Sequence, residues 1–183
     1  MTMTKTNDDL AMKRIKRAEK ACREAQETYN FVLNSTYKLG WHDSNVENKF
    51  VPNVHSDWNI NDLKNSGVYP YLKNVAKKLK LDIDKNFDKC IVNLSKSSDY
   101  NFSHCHTEEN VLLYYVNLEW QDGFGGETIF YNDNLTDIKL ASMYKPGRIV
   151  AFDGSIPHTI RPQSSYGPNY RFTISCFLKK EKV

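Results

Sequence analysis

The spacing of apolar residues changes character near Phe87. Upstream of it the period is helical. Leu10, Ile15, Ala18 and Cys22 trace an apolar stripe on a helix that runs from Asp8 or Asp9 to about Leu33, with Tyr29, Phe31 and Val32 near its end. Lys20 with Glu24, and Arg23 with Glu27, are i,i+4 pairs that suit an exposed face. Between Asn34 and Asn59 no period holds; Gly40, Pro52 and many Asn, Asp and Ser residues predict loops around Trp41 and Trp58. A short helix is expected over Asn61–Lys64. Pro70 then opens another over Tyr71–Leu79, with Leu72, Val75 and Leu79 pointing inward.

Downstream of Phe87 the runs are short and rich in branched and aromatic residues. Cys90–Leu94, Val111–Leu118, Glu127–Tyr131, Ile138–Met143, Arg148–Phe152 and Arg171–Leu178 read as strands, punctuated by Asp-Gly, Gly-Gly, Asn-Asp-Asn, Pro-Gly and Gly-Pro. Many short strands at this spacing predict a mainly β fold, a jelly roll of two wrapped sheets with the N-terminal helices lying against one of them. The 183 residues suit a single domain, with about 7–86 as helical and loop support and about 87–179 as the β core.

Composition narrows the classes. An apolar fraction of 40% and an aromatic fraction of 13% argue against disorder. The net charge of +3 is modest, and acidic residues interrupt most of the lysine-rich stretches, so these read as solvated faces and no nucleic-acid partner is expected. The four cysteines form no CxxC pair. Neither a membrane-spanning stretch nor a signal-peptide pattern is present, which makes a soluble, cytoplasmic location and a monomer the default expectations.

Candidate chemistry lies in the β half. If Ser103–Glu108 is extended, His106 and Glu108 point to one face about 6–7 Å apart, where an imidazole and a carboxylate can converge on one ion. His158, held behind Pro157, completes a two-histidine, one-carboxylate set that suits Fe(II) and leaves positions open for a chelating co-substrate and oxygen. Arg171 begins a strand on which Arg171, Thr173 and Ser175 share a face, and a guanidinium fork matches a carboxylate. Thr173 and the Tyr114 phenol are further candidate donors to that carboxylate. Arg161, three residues past His158, competes with Arg171 for the role. His42 and His55 read as solvated loop residues, and the Cys105 side chain should face away from its two histidine neighbours.

From about Phe87 to Leu178 the chain resembles the prolyl-4-hydroxylase-like branch of the iron(II)- and 2-oxoglutarate-dependent oxygenases. The blocks that carry the resemblance are His106-Thr107-Glu108, Tyr114-Tyr115-Val116-Asn117-Leu118-Glu119-Trp120 and Gly125-Gly126-Glu127-Thr128-Ile129-Phe130. Lys145-Pro146-Gly147 through Asp153, Pro157-His158 and Tyr170-Arg171-Phe172-Thr173-Ile174-Ser175 follow in order. The resemblance implies a double-stranded β-helix with flanking N-terminal helices, with His106, Glu108 and His158 as iron ligands and Arg171 as the anchor of 2-oxoglutarate. It also implies hydroxylation of a peptidyl, prolyl or amino-acid C–H bond with release of succinate and carbon dioxide, and ascorbate as a candidate accessory. Peptides, proteins or small amino-acid-like molecules are then the substrates, with molecular oxygen. Glu108 departs from the aspartate usual in the family. Its extra methylene reaches roughly 1.5 Å further, a change to which ligand geometry is sensitive.

Two other readings stay open from the residues. His104-Cys105-His106, with Glu108 or Glu109 and His158, looks like the metal site of a cupin, a class that includes dioxygenases needing no 2-oxoglutarate. A non-enzymatic jelly-roll binding module is the third reading.

Overall fold

The computed structural model describes residues 5–41, 53–97 and 99–181. Expectations for His42 and Pro52 lie outside the described residues, as does the side chain of Trp41.

The architecture is mainly β, with two antiparallel sheets and a helical N-terminal part. Helix α1 (Lys5–Leu33) leads into β1 (Lys38–Trp41) and β2 (Asn53–Trp58). Helices α2 (Ile60–Asn65), α3 (Tyr69–Lys78) and α4 (Ile83–Asn86) follow. The strands β3 (Phe87–Ser95), β4 (Glu109–Tyr115), β5 (Thr128–Tyr131), β6 (Ile138–Ser142), β7 (Ile149–Asp153), β8 (His158–Ile160) and β9 (Arg171–Lys179) complete the chain. The larger sheet has the order β1-β2-β3-β9-β4-β7 and the smaller one β6-β5-β8.

Local chemistry explains the helices. Asn59 caps α2, accepting from the backbone N–H of Asn61 and Asp62, while the Asp62 carboxylate accepts from the N–H of Asn59. Pro70 sits in the first turn of α3, where its missing N–H costs nothing.

Alternation on the central strands divides the interior in two. On β9, Phe172, Ile174, Cys176 and Leu178 face the helical layer and pack with Val32, Leu63, Leu72 and Ile83. On the opposite face, Phe177 joins Ile91, Val111, Leu113, Tyr115 and Tyr144 between the sheets. The small sheet closes over this second cluster, with the Phe130 and Phe152 rings 4.9 Å apart and Tyr115 Oη donating to Thr128 Oγ1 at 2.9 Å.

Several expectations change. The loop region Asn34–Asn59 contains β1 and β2, because β2 is pinned along β3 from Val54↔Leu94 to Trp58↔Cys90. His55 lies on β2 and is buried, not solvated. The three-residue β8 and the one-turn α4 were too short to show a period.

Candidate metal centre

The segment leading to β4 is not one continuous strand. His104 pairs with His158 as an isolated antiparallel bridge, each N–H donating to the other's carbonyl at 3.0 Å. Residues so opposed carry their side chains on the same face. His106, two residues on from His104, returns to that face, and the chain then turns at Thr107-Glu108.

The outcome is a triangle of imidazoles. The ring centroids of His104 and His158 are 4.4 Å apart, those of His104 and His106 4.9 Å, and those of His106 and His158 5.3 Å. One ring nitrogen from each lies within 4.8 Å of the others, a spacing that can hold one ion.

The structure brings together only part of the expected ligand set. His106 and His158 belong to the triangle, but Glu108 does not; it sits exposed in the turn, and His104 occupies the third corner. The turn breaks the extended register that would have put Glu108 on the face of His106. The nearby carboxylate is Glu109, whose Oε2 is 3.9 Å from His106 Nδ1 and whose Oε1 accepts from Lys89 Nζ at 2.7 Å.

The rings are oriented from behind. His104 Nδ1 donates to the carbonyl of Phe102 at 3.0 Å, and His158 Nδ1 donates to that of Ile156 at 2.8 Å. Each donation fixes a tautomer whose Nε2 keeps its lone pair. Apolar walls surround the triangle: Phe177 meets His106 edge-on at 4.8 Å and Phe152 meets His158 at 4.7 Å. Burial, aided by His104 and the Lys89 charge, lowers the His106 pKa from the usual 6.5 to about 4, so the imidazole is neutral at pH 7. The donor type of all three rings, the tautomers of His104 and His158 and the neutral form of His106 suit a mid-row divalent metal.

Gly154 sets the position of His106. Its carbonyl accepts from His106 N–H at 2.6 Å and its N–H donates to the Glu109 carbonyl at 2.9 Å, while Glu109 N–H closes the turn on the His106 carbonyl at 3.2 Å. A Cβ at 154 would overlap both carbonyl oxygens.

One cavity holds the triangle together with Arg171, Asn93, Ser175, Thr128 and Phe177. The Arg171 side chain is 1% exposed. Its Nη2 donates to the Gly126 carbonyl at 3.0 Å, its guanidinium lies over the Tyr144 ring at 4.8 Å, and its Nε has no hydrogen-bond partner. Among the described residues no carboxylate stands within ion-pair distance of it. Desolvation lowers its pKa. Gly126, with φ +78°, makes room, since a Cβ there would approach Arg171 Nε to 2.9 Å.

The remaining candidates are placed as follows. Thr173 is fully buried on the face of Arg171, where its Oγ1 accepts from Asn93 Nδ2 at 3.5 Å. Tyr114 points the other way, into the cluster beneath the helices, and Tyr115 is the tyrosine between the sheets. Because the run Val111–Val116 is apolar on both faces, sequence alone gave no parity to choose between them. Arg161 is exposed and lies 3.8 Å from Glu127 Oε2. Among the described residues no helix is long and apolar enough to cross a membrane.

No protein-family model matches the sequence, and no curated protein matches it either. Solved structures are similar in three dimensions. A prolyl hydroxylase of Trichoplax adhaerens, in complex with a hypoxia inducible factor oxygen degradation domain peptide fragment, superposes with TM-score 0.62 at 20% identity, covering 86% of this chain and 78% of that one. A 2OG-Fe(II) oxygenase family oxidoreductase of Burkholderia pseudomallei gives 0.55 at 10% identity, covering 84% and 77%. A Pseudomonas putida prolyl-4-hydroxylase gives 0.53 at 12% identity, covering 86% and 100%. The chain has the fold these oxygenases share.

Proposed function

We propose that this chain, which carries the fold of the 2OG-Fe(II) oxygenases, is an iron(II)- and 2-oxoglutarate-dependent oxygenase on a double-stranded β-helix. We assign it hydroxylation of a C–H bond in a peptidyl or amino-acid substrate, with release of succinate and carbon dioxide, in a reducing intracellular setting.

The observation that carries the reading is Arg171. A buried cation whose neighbouring carboxylate, Glu127, stands beyond ion-pair distance keeps much of its desolvation cost uncompensated, and this one opens on the same cavity as three metal-competent imidazoles. A dicarboxylate would suit such a cavity: one carboxylate would offset the guanidinium and take the orphaned Nε–H, while the other end would face the histidines. Ser175 lines the same wall, and Thr173 acts through Asn93, whose amide it holds.

The site would hold Fe(II) through His104, His106 and His158. The metal would supply oxygen activation coupled to decarboxylation of the co-substrate. Imidazole is an uncharged ligand, so a three-histidine centre would leave the metal's two positive charges unmatched by its own ligands, which favours an anionic co-substrate. The phenyl rings of Phe152 and Phe177 exclude water around the triangle, which protects reactive species from side reactions.

The neutral donor set also favours a second reading, a metal dioxygenase of the cupin kind that needs no 2-oxoglutarate. Succinate formation separates the two. Purified protein given Fe(II), 2-oxoglutarate and air is expected to form succinate, with Arg171→Gln raising the 2-oxoglutarate requirement by roughly 100-fold, the scale of a lost charged hydrogen-bond pair. Metal binding with no 2-oxoglutarate binding and no succinate would move the assignment to the second reading.

A further inference from the structure

Helix α1 stands clear of the domain over residues 12–23. Every residue from 12 to 23 is exposed, with Met12 at 51% and Ile15 at 50%; among the residues whose burial is described, the helix meets the core from Glu24 onward, through Thr28, Tyr29, Phe31 and Val32.

The projecting segment is also where the chain's positive charge sits. Residues 12–23 hold six lysines and arginines against one acid, Glu19, whereas the other residues hold nineteen cations against twenty-one anions. On a helix, Lys13, Lys16, Arg17, Lys20 and Arg23 fall at i, i+3, i+4, i+7 and i+10, one row about 15 Å long within a third of the circumference. Glu24 lies 3.7 Å from Lys20 at the domain end of the row. Among the described residues no acid stands within ion-pair distance of Lys16, Arg17 or Arg23. Like charges at these spacings repel, a cost that an anionic partner would reverse.

The partner must offer anions at close, regular spacing. A nucleic-acid duplex carries a charge every ~1.7 Å of axis, so about nine phosphates lie along this row, and a helix fits its major groove. A lipid surface is the weaker match. The opposite side of the segment offers Ile15, Ala18 and Cys22 but no leucine or aromatic residue to anchor in an acyl boundary.

Against the expectation drawn from the interrupted lysine-rich stretches, we infer that the projecting part of α1, where one acid faces six cations, is a docking arm for the phosphate backbone of a nucleic-acid duplex. This surface is separate from the metal cavity and does not depend on the oxygenase assignment.

The test is fluorescence anisotropy of a labelled 20-base-pair DNA duplex of arbitrary sequence with the full chain. If five phosphate contacts form, affinity falls about 500-fold between 50 and 200 mM salt. The charge reversal Lys16→Glu/Arg17→Glu/Lys20→Glu is expected to lose at least 100-fold at 50 mM salt. A matched reversal of exposed lysines elsewhere, Lys77→Glu/Lys78→Glu/Lys85→Glu, is expected to lose less than threefold. Equal losses in the two variants, or no duplex binding at 50 mM salt, would overturn the inference. So would arm-dependent binding to phosphatidylserine-containing vesicles in place of the duplex.

Discussion

Replacing Gly154 with alanine adds one methyl group at a residue that does not line the metal cavity, yet it should disable the metal centre. The new Cβ would lie 2.6 Å from the Glu109 carbonyl oxygen and closer still to that of His106. At the Glu109 oxygen, reaching even the 3.0 Å limit of real Cβ contacts requires 0.4 Å of movement and ordinary contact 0.8 Å, and the His106 oxygen must move further. Both obstacles are backbone atoms of the turn that carries His106, so a flexible side chain cannot absorb the shift. Metal–ligand distances tolerate only about 0.2 Å, and losses of ligand support typically cost 10–100-fold in affinity. We expect Gly154→Ala to bind Co(II), read by its visible absorption, 10–100-fold more weakly than wild type. The accompanying overpacking cost of about 1–3 kcal/mol should leave far-UV circular dichroism native at 20 °C. A natively folded Gly154→Ala protein that binds Co(II) within twofold of wild type would refute the reasoning.

Two further outcomes follow from the same geometry. The folded-state pKa of His106 is lowered, so the unfolded chain takes up its proton first as pH falls; metal-free stability should drop between pH 6.5 and about 4, by at most roughly 3 kcal/mol from this residue. Urea melts at pH 7 and 4.5 should show a smaller difference for His106→Asn than for wild type. At Gly67, an added Cβ would overlap the Glu24 carbonyl oxygen and lie 2.9 Å from its carbon, so Gly67→Ala should loosen α1 and lower the melting temperature by several degrees without changing metal affinity.

The β half was legible because its strands alternate. The expected runs Cys90–Leu94 and Arg171–Leu178 fall inside β3 and β9, Ile138–Met143 overruns β6 by one residue, and the Arg171-Thr173-Ser175 face was readable from period two alone. Strand β2 was not, since Asn53-Val54-His55-Ser56-Asp57-Trp58 reads as loop and becomes a strand only through its pairing with β3. At the site, His158 and Arg171 could be found from their blocks. The choice between His104 and Glu108 could not, because both stand two residues from His106. It is decided by the bridge to His158 and the turn after Thr107, both tertiary features. The parity of Tyr114 and Tyr115 was hidden for a related reason: a central strand buried on both faces carries no polar alternation.

The most direct measurement is metal affinity for His104→Ala beside Glu108→Ala, with Co(II) or Fe(II) titrated anaerobically into each. The three-histidine centre requires that His104→Ala lose metal binding by at least 100-fold while Glu108→Ala binds as wild type. Retained binding in His104→Ala with loss in Glu108→Ala would contradict it and return the third ligand to the carboxylate.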